Sequence, residues 1–458
     1  MTIPAIGGNG GRAFGVRFSS LDRWDVGSVV RPEWRWPGEF LHPLGSVLRR
    51  RTELLESVDL PILDKISFGG RLTATRGGRA RQGRLFRAHV DDLVLSKIRI
   101  KQGSVDVVPD TGPIAVSPEY PVYEVERSRA LPRYLKIVLR SQVFRRYLEG
   151  RSHGGSSKTR IRVDDVESVF VPLPSLAYQQ AIVEMDDAAA RAEGEASHRL
   201  AQTRVDIETK LNSPLGAEPR SARAGLAAFG VFVGRLDRWG VGFNQVAHVG
   251  VRSGERYQRR TLGSSRTFLQ YGTSVRSNDA GIGVPIIRMG NIVDGRLDVR
   301  DLRHVDLPAD ETGRYALRPL DILVNRTNSK ELVGKSAVFD LAGTYVFASY
   351  IIRIRVRDDV FDPEFVVHVL NSEIGRSQID MLSRRIIGQA NINSAEIDSL
   401  TIPCPPLGLQ RQIVENLGHI RAEAESEAEA LLLEARRIRT VVETMIREPV
   451  GSPVELRG

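Results

Sequence analysis

VPLPSLAYQQAIV, residues 171–183, sets the plan of this chain because it returns as IPCPPLGLQRQIV, residues 402–414, after a shift of 231. Pro172 and Pro403, Pro174 and Pro405, Leu176 and Leu407, Gln179 and Gln410, Ile182 and Ile413, and Val183 and Val414 coincide. Prolines cannot donate to a ladder and bias the residue before them away from helix, so each copy reads as a strand end that leads into a helix. Behind the first copy, small or apolar residues recur in steps of three and four at Ile182, Met185, Ala189, Ala192, Ala196, Leu200, Thr203, Ile207 and Leu211. That pattern stops at Asn212, Ser213 and Pro214. Behind the second copy it runs from Ile413 through Leu417, Ile420, Ala424, Ala428, Leu431, Ala435, Ile438 and Val442 to Met445, and stops near Pro449. At the α-helical rise each helix is roughly 55 to 60 Å long. A narrow stripe on helices of that length predicts a coiled coil, for which one chain supplies both partners, and the alanines allow close approach. Two unrelated surface helices are the plainer alternative, and the repeat around them argues against it.

Working outward, the segment GVRFSSLDRWDVG (15–27) returns as GVFVGRLDRWGVG (230–242), so each half opens alike. Between opening and junction lie short strand-like runs and turns, then a short helix: PRYLKIVLRSQVFRRYLEG in the first half and PEFVVHVLNSEIGRSQIDML in the second. Leu139 matches Leu370 and Ile161 matches Ile392 at the 231 shift, but the middle portions do not align well. The expected class is α+β, with two mixed modules and two long helices. The expected boundaries are a tail at 1–11, a module at 12–174, a helix at 175–212, a linker at 213–229, a module at 230–405, a helix at 406–448 and a tail at 449–458.

With 458 residues, 41% hydrophobic, the chain can bury two or three cores, and no run is long and apolar enough for a membrane span or a signal peptide. Cys404 is the only cysteine, so an internal disulfide and a cysteine-based zinc site are excluded and a cytoplasmic setting is expected. The net charge of +9 favours a polyanion, and 57 of the 65 basic residues are arginine, which suits bidentate contacts to phosphate and guanine; a GC-rich genome would produce the same bias.

RLTATRGGRARQGRLFR (71–87) sets Arg76, Arg79, Arg81 and Arg84 among glycines that let backbone approach a ligand, a pattern for successive phosphates; a solvated basic hairpin is the competing account. Lys97, Arg99 and Lys101, two apart, would share one strand face and extend the patch. The comparable place in the second half is taken to be NRTNSKELVGK (325–335), where Asn325, Arg326 and Asn328 carry base-reading chemistry and Lys330 and Lys335 suit phosphates; simple turn formation is the alternative. Lys158 and Arg160, and Gln389 and Asn391, sit in matching loops before each last strand. Catalytic patterns are missing: the eight histidines are scattered, Gly334, Lys335 and Ser336 lack the earlier glycine of a phosphate-binding loop, and no amino-methyltransferase motif is present.

The twice-occurring junction, each copy leading into a long helix after a divergent module, resembles the specificity subunit of type I restriction-modification systems, and GVPIIRMGNIVDG (283–295, with Arg288) and PLDILVNRTNS (319–329) resemble its target-recognition domain. That resemblance implies two recognition domains in a pseudo-twofold arrangement, separated by two antiparallel helices and reading a bipartite sequence in double-stranded DNA. It also implies two methyltransferase subunits that use S-adenosylmethionine, an ATP-driven restriction subunit, no cofactor or metal in this chain, no membrane, and a bacterial nucleoid-associated location. The first half departs from the pattern, lacking a clear counterpart of the IIRMGNI strand. A protein-binding scaffold with an incidental basic surface, and a stand-alone nuclease or methyltransferase, are the other readings.

Overall fold

A computed structural model describes residues 33–56, 59–76, 84–150, 166–216, 256–329, 332–386 and 389–451. Both LDRW segments, and the linker beyond residue 216, lie outside them. The chain forms two compact units, Met1–Ala196 with Glu429–Gly458, and Ser197–Ala428, so each unit takes part of both long helices. No described helix is long and apolar enough to cross a membrane.

In the first unit, β1 (Leu41–Pro43), β2 (Leu48–Arg51), β3 (Ile62–Ile66), β4 (Leu72–Thr75), β5 (Phe86–Ala88), β6 (Leu93–Leu95), β7 (Val105–Val107), β8 (Ile114–Val116) and β9 (Val122–Val125) come first. Helices α1 (Pro132–Arg140) and α2 (Gln142–Gly150), strand β10 (Phe170–Pro172) and long helix α3 (Leu176–Leu215) follow. One antiparallel sheet has the order β2-β9-β6-β7, and a second the order β4-β3-β8-β5, with β3 parallel to β8. Strand β6 shows how the layers stack. Successive side chains leave a strand on opposite faces, so Leu93 and Leu95 join the core with α1 while Val94 joins the core between the sheets. Helix α1 starts on Pro132, whose missing N–H is no loss there, and buries Tyr134, Leu135, Val138 and Leu139 on one face.

The second unit runs β11 (Arg259–Thr261), α4 (Leu262–Ser265), β12 (Arg266–Tyr271), β13 (Val284–Ile287), β14 (Ile292–Val293), β15 (Arg296–Leu297), β16 (Arg303–Val305), α5 (Ala309–Tyr315), β17 (Ile322–Asn325), β18 (Thr327–Asn328), β19 (Ser336–Val338), β20 (Val346–Phe347) and β21 (Ile351–Val356). It then continues through α6 (Pro363–Asn371), α7 (Glu373–Leu382), β22 (Arg384–Ile386), β23 (Gln389–Asn391), α8 (Ser394–Asp398), β24 (Thr401–Pro403) and long helix α9 (Leu407–Arg447). Its sheet β12-β21-β17-β19 repeats β2-β9-β6-β7, and β16-β13-β20 repeats β4-β3-β8, with β13 parallel to β20. Strand β17 divides as β6 does: Ile322 and Val324 face the helices, and Leu323 faces the other sheet.

The divergent middles therefore share one framework, and the strand thought to lack a counterpart has one. β3 stands where β13 stands, since Ile62 pairs with Ala115 and Ile286 with Val346, and those two partners are 231 residues apart. The sequence hid this because Ile62 and Ile286 are 224 apart while Leu93 and Ile322 are 229 apart: loops of unequal length break a single register, and a buried strand demands only apolar type.

Gln179 and Gln410, both fully buried, explain the repeated junction. Gln179 accepts from Leu131 N at 2.9 Å and donates to Arg129 O and Pro174 O at 2.9 and 2.8 Å. Gln410 accepts from Asp362 N at 2.9 Å and donates to Val360 O and Pro405 O at 2.9 and 2.8 Å. One amide thus ties the start of the long helix to the proline strand end and to the N-terminus of α1 or α6. The helix α3 itself runs to Leu215 rather than stopping at Asn212. Leu211 and Leu215 are buried in the second unit's core, and Pro214, in the last turn, interrupts little helix beyond it.

Ile182, Ala189, Ala196 and Thr203 on α3, and Ala428, Ala435 and Val442 on α9, are buried at seven-residue spacing, the seam of a coiled coil. The helices run antiparallel within each unit. In the first, Tyr178 meets Met445 while Glu193 meets Arg439 at 2.9 Å; in the second, Arg199 pairs with Glu427 at 2.6 Å while Leu211 shares a core with Ile413 and Leu417.

Candidate functional site

In the second unit a small sheet, β18-β23-β22, brings the loop after β17 against the loop before β24: Thr327 pairs with Asn391, Asn328 with Ala390, and Arg384 with Asn391. Arg326, Asn328, Gln389 and Asn391, remote in sequence, are thereby gathered. Arg326 is gripped by its backbone, donating N–H to Tyr350 O at 2.9 Å and accepting from Ile392 N at 2.8 Å. Its guanidinium lies over the Tyr271 ring, 4.9 Å from the centroid, a cation–π contact of about 0.5–1 kcal/mol where solvent still reaches. The Tyr271 hydroxyl accepts from Ser394 N at 3.0 Å, fixing the ring to the same loop, which a capping box at Asn393 and Glu396 then holds at the start of α8. Tyr350 is 52% exposed beside Arg326. The result is a flat cation on an aromatic shelf, with its backbone held on both sides and Tyr350, its main-chain partner, exposed.

Residues 268–433 match the family model of the type I restriction modification DNA specificity domain. The chain is 27% identical over 165 residues to a putative type I restriction enzyme MjaX specificity subunit of Methanocaldococcus jannaschii, covering 36% of this chain and 39% of that one. It is 23% identical over 290 residues to the type I restriction enzyme EcoKI specificity subunit of Escherichia coli K12, covering 63% and 58%. A solved structure concerned with complex assembly and conformational transition of the type I R-M system shares the fold, with a TM-score of 0.53 at 18% identity over 91% of this chain and 97% of that one. The chain is thus similar to specificity subunits of type I restriction enzymes, with the DNA specificity domain itself matched over residues 268–433. Its matched segments span between 39% and 58% of the length of the two curated relatives named.

The remaining sequence-predicted residues are dispersed. Asn325 is buried, donating to Met289 O at 3.2 Å, so its side chain supports the loop rather than facing outward. Lys335 closes that loop and lines a cavity against α3 and α9. Arg288 sits at the end of β13, its N–H held by Asn291 Oδ1 at 2.9 Å, with the guanidinium 3.4 Å from Asp301. Arg79, Arg81, Lys158, Arg160 and Lys330 lie outside the described residues. Arg76 follows β4 and Arg84 precedes β5, at the two edges of one sheet, and both are exposed.

Two expectations need correcting. Lys97, Arg99 and Lys101 do not alternate on a strand: they occupy a turn and the 3-10 helix Ile100–Gln102, because Ile100 is buried and Gly103, at φ +84°, closes the turn. The counterpart of NRTNSKELVGK is also this turn, not the arginine-glycine stretch. Lys97 N donates to Glu119 O as Arg326 N donates to Tyr350 O, and Ser96 N to Ser104 O as Asn325 N to Lys335 O. Arg99 stacks 5.7 Å from the ring of exposed Phe68, a looser version of the Arg326 shelf. Sequence reasoning missed Tyr271, Tyr350 and Phe68. Each sits in or beside a strand-like run, where an aromatic residue reads as core.

Proposed function

We propose that this chain is the non-catalytic DNA-reading subunit of a type I complex, each unit reading one half of a bipartite duplex target. The helices α3 and α9 dock two methyltransferase subunits, and restriction subunits join them. S-adenosylmethionine and ATP are held by those partners. The observation that carries the reading is Arg326 on its Tyr271 shelf: a planar guanidinium held in one orientation is what bidentate recognition of guanine O6 and N7 in the major groove requires. Asn391, on the strand paired with those that carry Asn328 and Arg384, adds an amide suited to adenine. In the other unit Lys97 takes the equivalent place and supplies a point charge suited to phosphate.

Assembled with its methyltransferase, the Arg326→Ala subunit is expected to relax one base position in one half-site, by about 1–3 kcal/mol of discrimination. Sequencing of methylated sites in cells carrying the complex reads this directly. Equal loss in both half-sites, or an unchanged consensus, rejects the reading.

A further inference from the structure

The second unit contains a cavity of about 300 Å³ between α3, α9, α6 and the β14–β15 turn. Lys335, His368 and Arg421 line it, and among the described residues none of their side chains has a hydrogen-bond or ion-pair partner. The carboxylates on its wall are engaged elsewhere: Asp294 with Arg204 at 2.8 Å, and Glu208 with Glu373 N and Asn212 Nδ2 at 2.9 and 2.8 Å. Arg376 is taken by the Val333 carbonyl. Three nitrogen-bearing side chains, each only partly buried, therefore line one space with no protein acceptor among the described residues.

The repeated framework provides an internal control. Lys335 stands where the first unit has Ser104, as the hydrogen bonds from Ser96 and Asn325 show. His368 and Arg421 fall on Ile137 and Ala190 at the 231 shift that aligns the helices. The fold thus needs none of these donors, and the first unit does without all three. Burial, with Arg296 nearby, pushes the Arg421 guanidinium down, and Glu425 and Asp294 offset only part of this.

We propose that the cavity binds a small phosphate-class oxyanion between Lys335, His368 and Arg421. The site is independent of the DNA-reading assignment, and either can fail alone. The shared chemistry has two sources, a free phosphate or small phosphate ester, and a phosphate of the DNA backbone.

The test is calorimetric titration of inorganic phosphate into the full-length chain in low-salt buffer free of sulfate. One saturable site is expected, together with a phosphate-dependent rise in Tm. Arg421→Ala should weaken binding about tenfold, the loss of one charge-assisted hydrogen bond. The combined Lys335→Ser, His368→Ile and Arg421→Ala chain, which carries the first unit's residues and is expected to fold, should lose both the binding and the Tm response. Displacement of phosphate by a short duplex lacking the target, lost in the triple variant, would make the occupant a backbone phosphate; no displacement would make it a free or small-molecule phosphate. Absence of saturable binding up to about 10 mM, or undiminished binding by the triple variant, overturns the site and leaves an adventitious ion only.

Discussion

Gln179 and Gln410 use their side-chain amides on the same three backbone partners, 231 residues apart, and this pair of side chains anchors each half. Leucine has a similar volume but offers no partner for Asp362 N, Val360 O and Pro405 O. Gln410→Leu is therefore expected to destabilise the second unit by about 2–4 kcal/mol, since each buried group left unmatched is worth roughly 1–3 kcal/mol, and water relieves part of it. Urea unfolding would check this, and Gln179→Leu should have the matching effect in the first unit. The identity of these glutamines at equivalent places was legible in the sequence. Their reach to the start of α1 and α6 was not, because it joins segments about 50 residues apart and depends on the strand end turning back beside the helix. His368 carries a second residue-scale prediction. Burial first, and then the Arg421 and Arg296 charges, lower its pKa from 6.5 to about 4, in a cavity also lined by Arg204, Lys335, Arg376, Glu208 and Asp294. The unfolded chain then binds the proton more readily, so the stability present near pH 7 falls as pH drops from 6.5 towards 4. Between pH 7 and pH 5 the loss should be about 2 kcal/mol, and His368→Ile should remove that part of the slope.

At the scale of elements, the small sheet β18-β23-β22 turns two unrelated loops into one surface. The sequence marked both loops, the one with Gln389 and Asn391 and NRTNSKELVGK (325–335), on their side chains alone. What stayed hidden was the shelf beneath them, since Tyr271 ends a strand whose alternation reads as ordinary half-buried sheet. Its importance comes from lying under Arg326 while its hydroxyl holds Ser394. Tyr271→Phe keeps the ring and loses only the tether, so it should retain the consensus; Tyr271→Ala removes the shelf and should relax the same base position as Arg326→Ala. Methylome sequencing of the three complexes distinguishes a positioning ring from a filler, because a filler would lower complex yield without changing the consensus. Gly334 makes a related point about the loop's other end. At φ +78°, with Ile379 Cδ1 2.6 Å from where a Cβ would stand, it allows neither the strain nor the volume of alanine. Gly334→Ala should destabilise the second unit by about 1–3 kcal/mol in thermal unfolding.

For the molecule as a whole, one framework built twice separates holding from reading. The framework residues recur at shifts of 224 to 231, as Asp92 and Asp321 do, each buried at the start of a central strand with an arginine against it. The residues proposed to touch DNA do not recur: the backbone position that carries Arg326 in one unit carries Lys97 in the other. Repeated framework is visible in a sequence because packing restricts what it accepts, whereas surface readers are free to differ, which is why the junctions were plain and the counterpart of Arg326 was misplaced. The same asymmetry makes the two variants behave differently. Lys97→Ala removes a point charge suited to phosphate, so it should weaken DNA binding by the complex across all sequences and reduce the slope of log K against log salt by about 0.9, with the consensus intact. Arg326→Ala should change the consensus in one half-site. Measuring binding at several salt concentrations alongside methylome sequencing tests both, and a changed consensus from Lys97→Ala, with an unchanged one from Arg326→Ala, would reverse the assignment of roles.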